Sequence, residues 1–587
     1  MRCPGQQATA LEVARSLLAP LSVFVAHHGP GGVRHCFCHP PLAYRRRRLG
    51  VELRSAYPVS DAFFYWQAAW YRAFIDADGG FIGTFIPNGP YVWSLTQFYR
   101  WLGPGAAVPF LLHAVLLSAA AAFMALLSRE LFDARTGWIA GLLTAFCGPL
   151  VFFAGLTVKT NVILCLIAAS LWCFFRYLNH RTAWPWLLLA VLLASLATLE
   201  RHNIGFLPLF YLGYALLLAL RMPQPGAAVA RTVAAFGGAL VVFTLVSGWD
   251  WRQPEQEFFA PVGLNVYVGN APGSRGGYTP VEGLRNDVLG HFLHAAPFTR
   301  EKLGYEASRE EVSAYWVRKS VDYYSNRPAE YLQLQLRKLG LLLAAEGYGL
   351  PEQYSVWRWK RPALAAAIVD GAVILSLAGG ALLVWPVLRR YPAARFLLLC
   401  ALTYAATQWL FFVGERYRLT LYLLLLPFAA VGVRWALQAV WRQRVIYAAV
   451  VGLLFGGSHA LTSLLDHGAG WAADRHAQAA WELEQVHALT PFYDAQIAVA
   501  NGAGWPAWAE LGRTALAMGF LPDAEYYARQ AVSRRGESIE PFLLLAEILL
   551  ATDDHYAQEQ LWLLLSQVTV TTPQQARELQ KIRQLLR

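Results

Sequence analysis

The sequence predicts an all-α polytopic membrane protein of about ten to eleven spanning helices, with outward-facing loops and a C-terminal α-helical repeat domain. Three observations predict it. The composition is 56% hydrophobic and only 15% charged, with a mean hydropathy of +0.35, whereas soluble domains run about 45–50% apolar and about 25% charged. About ten apolar stretches have the length a helix needs to cross a bilayer; they centre on 109–127, 137–155, 162–178, 184–199, 203–220, 232–249, 365–388, 395–413, 418–437 and 445–465. After residue 466 the apolar runs give way to mixed, soluble-type sequence.

Residues 1–49 form an N-terminal extension or a poor first transmembrane helix. Their apolar stretch "ALEVARSLLAPLSVFVAHH" is short and interrupted, and "HCFCHPPLAYRRRR" follows. His35, Cys36, Cys38 and His39 have the spacing of a C-x-C flanked by histidines, weaker than the paired motifs of zinc sites. No metal site is assigned. Cys147, Cys165, Cys173 and Cys400 fall inside apolar runs and read as small buried hydrophobes.

Orientation follows from the arginines. They lie in links of one parity: Arg129 and Arg135, Arg176 and Arg181, Arg221 and Arg231, Arg389 to Arg395, and Arg434 to Arg444. The positive-inside rule makes these links cytoplasmic. The net charge of +11 is therefore a topology signal, and nucleic acid is excluded as a partner. The other parity faces outward, to the periplasm if the membrane is a bacterial inner membrane. It comprises residues 50–108, the links "LTVKTN" and "ERHN", the long segment 250–362, "GERYR", and the tail from 466 to 587. The expected domains are 1–49, the loop 50–108, spans 109–249, the loop 250–362, spans 363–465 and the tail.

The outward loop 50–108 carries "YPVSDAFFYWQAAWYRA". Ser60 and Asp61 suit the cap of an aromatic-faced helix; Asp61 also suits a base at a membrane surface, with the aromatics as the wall of its cavity. Glu52, Asp76 and Asp78 are further acids in this loop. Residues 91–102 read as an amphipathic, aromatic-faced interfacial helix. Lys159 ends a span and either snorkels to water or serves a site. "LERHN" and "VGERYRL" place Glu200, Arg201, His202, Glu415, Arg416 and Arg418 at the outer membrane surface, where ionisable groups require water, partners or a task. Guanidinium groups suit a phosphate diester, since they stay charged and grip oxygens in a planar fork. The segment "GLNVYVGNAPGSRGGYTP" reads as an irregular glycine-rich loop, with none of the strand context of a nucleotide-binding motif. Residues 298–345 read as helical, with Arg337 and Lys338 near the return to the membrane.

These pieces in this order, "SDAFFYWQAAW", "PNGPYVWSLTQFYRWLG", "GLTVKTNVILCLIAASL", "TLERHNIGFLPL", "GLNVYVGN" and "GERYRLTLYLLLLPF", resemble GT-C glycosyltransferases of the protein-mannosyltransferase and aminoarabinose-transferase type over residues 50–465. The resemblance implies a GT-C bundle that passes a sugar from a polyprenyl-phosphate carrier to a lipid, glycan or protein acceptor on the outer face. It implies Asp61 as the general base of an inverting attack, and Lys159, Arg201, Arg416 and Arg418 as holders of the carrier phosphate. Tyr65, Pro90, Tyr91, Asn270, Tyr278 and Glu415 are the expected substrate contacts. The chain departs from the pattern in its poor first helix and in the Ala62 that follows Asp61, where many relatives carry a second acid. A divalent cation is the one cofactor the resemblance allows, and a single acid weakens that case.

In the tail, "WAELGRTALAMGFLPDAEYYARQAV" resembles a tetratricopeptide unit through Trp508, Leu511, Gly512, Ala515, Ala524 and Ala531. A shift of 34 residues lands on Phe542, Leu545, Ala546 and Leu549. Its expected task is to dock an acceptor or partner. Two other functions remain open from sequence: a transporter or flippase of a lipid-linked substrate, and an inactive scaffold that displays the tail. Against the transporter stand the lack of a convincing inverted repeat and of charges centred within spans.

Overall fold

The computed structural model describes residues 61–75, 89–247, 261–284, 294–347, 369–467 and 491–585, with short gaps inside these ranges and isolated positions between them. The expected first helix, the His35–Cys36–Cys38–His39 cluster, Glu52, Asp76 and Asp78 lie outside the described residues. Among the described residues every regular element is helical, and one isolated parallel bridge pairs Cys147 with Val369.

The chain divides into two compact units. The first holds the apolar helices. Among the described residues six helices are long and apolar enough to cross a membrane: Val108–Leu131, Thr160–Asn179, His202–Ala219, Pro225–Leu245, Glu415–Gln438 and Trp441–Leu465. Trp184–Glu200 and Gly371–Val384 are shorter apolar helices. Thr160–Asn179 and Glu415–Gln438 are each 72% buried and form the middle of the bundle, whereas Pro225–Leu245 and Trp441–Leu465 are only 17% buried and lie at its edge.

The stretch 137–155, expected as one span, is two helices, Ala134–Ala145 and Gly148–Ala154. Pro149 in the first turn of the second helix brings no backbone N–H. The Gly148 amide leaves the helical ladder and donates to the Val369 carbonyl at 2.8 Å. A Cβ at Gly148 would meet the Tyr354 hydroxyl at 2.0 Å, so the crossing needs glycine.

Four of the five arginine-bearing links meet at one end of this unit. Arg176 pairs with Glu130 at 2.5 Å. Arg434 pairs with Asp133 and donates to the Thr136 hydroxyl. Phe132 packs edge-on against Tyr391 at 4.9 Å, and Trp385 stacks on Trp435. Links of the same parity thus share one end, as alternating helices require.

The second unit joins the first loop to the tail. Asp61–Phe74 buries Phe63, Phe64, Trp66 and Trp70. Phe63 packs on Phe492, Trp66 meets Tyr493 edge-on at 4.7 Å, and Gln67 bonds to Tyr527 and Gln496. The aromatic row expected to wall a membrane-surface cavity is therefore core of the tail unit. Of the helix Pro90–Leu102, Leu95 and Tyr99 are buried while Trp93 and Trp101 stay exposed, the amphipathic split its sequence predicts.

The tail continues as Trp505–Ala517, Leu521–Ser533, Glu540–Thr552, His555–Ser566 and Pro573–Leu585. Trp508, Leu511, Ala515, Ala524, Ala531, Phe542, Leu545, Ala546 and Leu549 are all buried. A Cβ at Gly512 would sit 3.0 Å from a Leu544 methyl and 3.5 Å from the Ala524 carbonyl, so the small residue permits close helix packing.

Candidate active site

At the other end of the first unit the polar links converge. The Trp184–Glu200 helix ends in a single 3-10 turn, His202–Ile204. That turn is pinned to the Ala394–Leu410 helix: Arg201 Nη1 donates to the Tyr404 hydroxyl at 3.1 Å, and Asn203 donates to the Thr407 hydroxyl at 3.2 Å. Tyr404 in turn donates to the Tyr417 carbonyl at 3.0 Å, and Gln408 donates to the same carbonyl. The "ERHN" and "GERYR" links are thereby tied into one frame.

Tyr417 sits at the centre. The Arg201 guanidinium lies 4.7 Å from its ring centroid and that of Arg416 lies 5.4 Å from it, so two buried cations flank one half-buried ring. Such an arrangement stabilises each guanidinium over the π face. Lys159, on the residue before the Thr160–Asn179 helix, feels Glu200, Arg201 and Arg416. Burial pushes its ammonium below the usual lysine range, and the Glu200 carboxylate opposes that shift. Glu200 is held in turn: its Oε1 accepts from the Tyr91 amide at 2.7 Å. A Cβ at Gly89 would lie 2.9 Å from that same oxygen, so the glycine leaves room for the carboxylate in its present position. The Tyr91 hydroxyl bonds to His113 Nε2 at 3.0 Å, and His113 Nδ1 meets the Ala154 carbonyl.

Of the expected phosphate-holding residues, the structure brings Lys159, Arg201 and Arg416 together and sets Arg418 apart. Arg418 is 0% exposed. Its Nη1 donates to the Glu346 carbonyl at 2.8 Å, its Nη2 donates to the Ala344 carbonyl, and its guanidinium lies 5.3 Å from the Tyr422 ring. Those carbonyls lie just past the Pro328–Leu343 helix, on its C-cap residue Ala344 and on Glu346, so the guanidinium fastens the chain where it leaves that helix. Neighbouring Glu415 accepts from the Tyr354 amide at 3.0 Å and packs against Gly347, where a Cβ would come within 2.4 Å.

The glycine-rich segment begins as a helix, Val262–Asn270, rather than as the irregular loop its glycines suggest. Asn270 is fully engaged. Its amide group donates to the carbonyls of Val266 and Leu410, and its Oδ1 accepts from Gln335 at 3.3 Å and from Lys338 Nζ at 2.7 Å. Lys338 also donates to the Phe411 carbonyl at 2.8 Å, and the Val413 amide donates to the Gly276 carbonyl. Gly276 holds φ +90°, a backbone that favours glycine, and a Cβ there would lie 3.0 Å from Lys338 Cγ and from Leu341 Cδ1. Tyr278 bonds to His291 at 2.8 Å and meets Phe412 edge-on. These contacts brace the strap 411–414 that leads into Arg416.

The helix of the first loop begins at Asp61, but the side chain of Asp61 is not among the described ones. Tyr65 is half-buried in that helix, in the second unit, and Pro90 opens the next. Sequence reasoning named no role for Tyr417, Tyr404 or Lys338. The pairing "RYR" was the available signal for Tyr417, a ring between two arginines. Among the described residues no group of three or more His, Cys, Asp or Glu side chains is placed to hold a metal ion; Glu52, Asp76, Asp78 and the side chain of Asp61 lie outside them.

Residues 90–250 match the family model of dolichyl-phosphate-mannose-protein mannosyltransferases. No curated protein sequence matches the chain. Among solved structures, the oligosaccharyltransferase AglB from Archaeoglobus fulgidus, in complex with an inhibitory peptide and a dolichol-phosphate, is similar at 13% identity, over 76% of this chain and 56% of that one, with a TM-score of 0.35. The apo form of the same organism's oligosaccharyltransferase gives 13% identity, 75% and 55% coverage and a TM-score of 0.36. ArnT from Cupriavidus metallidurans in the apo state gives 13%, 67% and 77%, and 0.25. The chain spans little more than half the length of the archaeal proteins, and these overlays are too loose to transfer any residue's role. The segment that holds Tyr91, Lys159, Glu200 and Arg201 lies wholly inside the region that matches the family model.

Proposed function

We propose that the protein is a membrane glycosyltransferase that moves a sugar from a polyprenyl-phosphate carrier to an acceptor on the outer face of a bacterial inner membrane. The observation that carries this reading is the convergence of Lys159, Arg201 and Arg416 around Tyr417, at the end opposite the basic links. Lys159 and Arg201 act on the Glu200 carboxylate and Arg416 lies against the Tyr417 ring, and clustered cations at a membrane surface suit a phosphodiester headgroup. In this reading Arg201 and Arg416 grip the carrier phosphate, and Lys159 adds the charge that steadies the phosphate as it leaves. Glu200 fixes the cluster and holds the Gly89–Tyr91 turn.

Asp61 is the proposed base, a role supported by the family resemblance of "SDAFFYW". It would take the proton of an acceptor hydroxyl as that oxygen attacks the anomeric carbon, inverting it, while the carrier phosphate departs. Asn270 and Tyr278 act in this reading by bracing the strap that aims Arg416, and Arg418 by holding the helix end at Ala344–Glu346. The helical tail is the proposed docking surface for the acceptor.

The test is transfer by the protein reconstituted in liposomes with polyprenyl-phosphate sugars and cell-envelope acceptors. Wild type is expected to transfer sugar, and Arg201→Ala and Arg416→Ala to lose affinity for the carrier while staying folded. Movement of carrier across the bilayer with no transfer would overturn the reading in favour of a flippase.

A further inference from the structure

The Pro328–Leu343 helix lies outside every span that composition marks, yet one face of it is a bare leucine stripe. Leu332, Leu336, Leu339 and Leu343, spaced four, three and four residues apart, are 60%, 59%, 42% and 54% exposed. That spacing sets them along one side of an α-helix. The opposite face, with Gln335 and Lys338, is buried against Asn270 and Phe411. A helix in water does not keep four consecutive stripe positions as exposed leucine without something to cover them.

What covers them follows from the neighbouring helix. Arg337 Nη2 donates to the Leu465 carbonyl at 3.3 Å, and Gly340 packs on the Leu465 side chain. Further along, Ser458 Oγ donates to the Leu343 carbonyl at 2.7 Å, and the Ala345 amide returns a bond to the Ser458 carbonyl. Rising numbers on one helix meet falling numbers on the other, so the two run antiparallel. From Leu465 back to Ser458 the span descends about 10 Å, at about 1.5 Å per residue. The Leu343 end of the stripe therefore lies that far inside the apolar length of Trp441–Leu465. This span is itself bare over most of its surface, with Leu453 and Leu464 exposed at 76% and 74%, and a bilayer must cover it.

We propose that Pro328–Leu343 is a membrane-inserted helix whose leucine stripe lies among the lipid acyl chains of the leaflet at the Leu465 end of the span. The helix enters at the headgroup level near Leu332 and descends to hydrocarbon depth at Leu343. Its lipid anchorage backs the buried face that holds Asn270 and the strap before Arg416. The inference rests on the chain spanning a bilayer and is independent of the transfer reaction.

Single nitroxide labels at positions 332, 336, 339 and 343 of the full chain in phospholipid liposomes test it, in a background with the seven native cysteines replaced. Position 318, exposed on the helix Arg309–Ser325, is the aqueous control. The ratio of oxygen to nickel-chelate accessibility is expected to climb from 332 to 343 and to exceed the control several-fold at 339 and 343. A ratio at 339 and 343 equal to the control overturns the proposal, as does exclusion of both reagents, the signature of a protein partner or second copy. Benzoylphenylalanine at position 339, which needs no cysteine removal, gives a second readout: photo-adducts with phospholipid support the insertion, and adducts with protein alone overturn it.

Discussion

Arg418→Ala separates a structural arginine from a substrate-binding one. The side chain is fully buried, and two of its donors serve the Ala344 and Glu346 carbonyls at the end of the Pro328–Leu343 helix. Hydrogen bonds to a charged group contribute about 1.5–3 kcal/mol each, so losing both costs about 3–6 kcal/mol and leaves the buried Ala344 carbonyl and the part-buried Glu346 carbonyl without this donor. A loss of that size belongs to the tail of single-substitution effects and is readily seen in melting. Thermal unfolding of the detergent-solubilised protein, followed by intrinsic tryptophan fluorescence, is the assay. Arg418→Ala is expected to melt well below wild type, and Arg418→Lys to fall between them, since an ammonium can reach one carbonyl but not fork across two. The folded fraction of Arg418→Lys is expected to bind polyprenyl phosphate as wild type does. Unchanged melting of Arg418→Ala together with weakened carrier binding would refute the structural assignment and return the guanidinium to the phosphate.

Three further outcomes follow from the same geometry. Arg416→Lys should weaken carrier binding roughly tenfold, about 1.4 kcal/mol of lost bidentate contact, without lowering the melting temperature; titration with short-chain polyprenyl phosphate measures it. Because burial lowers the Lys159 pKa, its charge is present at low pH and is lost, as pH rises, earlier than an ordinary lysine's. Carrier affinity should therefore fall on the alkaline side, and Lys159→Arg should move that fall to higher pH; an unmoved profile would exclude Lys159. Gly269→Ala places a Cβ 1.9 Å from the Phe411 carbonyl, and overpacking of this kind costs about 1–3 kcal/mol. Limited proteolysis should show the 261–284 segment cleaved faster in the variant.

Much of the bundle was legible because apolar length and arginine position are local properties. The convergence of "LTVKTN", "ERHN" and "GERYR" followed from parity, since short links of one parity must share an end. The break at Gly148–Pro149 was not legible from hydropathy, which averages over a proline that removes one N–H. The aromatics after Asp61 were misread for a different reason. A row of Phe and Trp suits lipid headgroups and suits a helical core equally well, and the deciding partners, Phe492 and Tyr493, lie more than four hundred residues away in sequence. Arg418 shares its motif with Arg416, yet the carbonyls it serves exist only because a helix ends at Leu343. Asn270 looked available for substrate because its four bonding partners come from three separate segments.

The central claim is transfer from a polyprenyl-phosphate carrier with Asp61 as base, and Asp61→Asn in the reconstituted transfer assay tests it most directly. Removal of a general base slows the chemical step about 10²–10⁴-fold. Asp61→Asn is expected to bind radiolabelled carrier as wild type does, to melt with it, and to transfer sugar about a hundredfold more slowly or worse. Transfer by Asp61→Asn at the wild-type rate would remove Asp61 as the base.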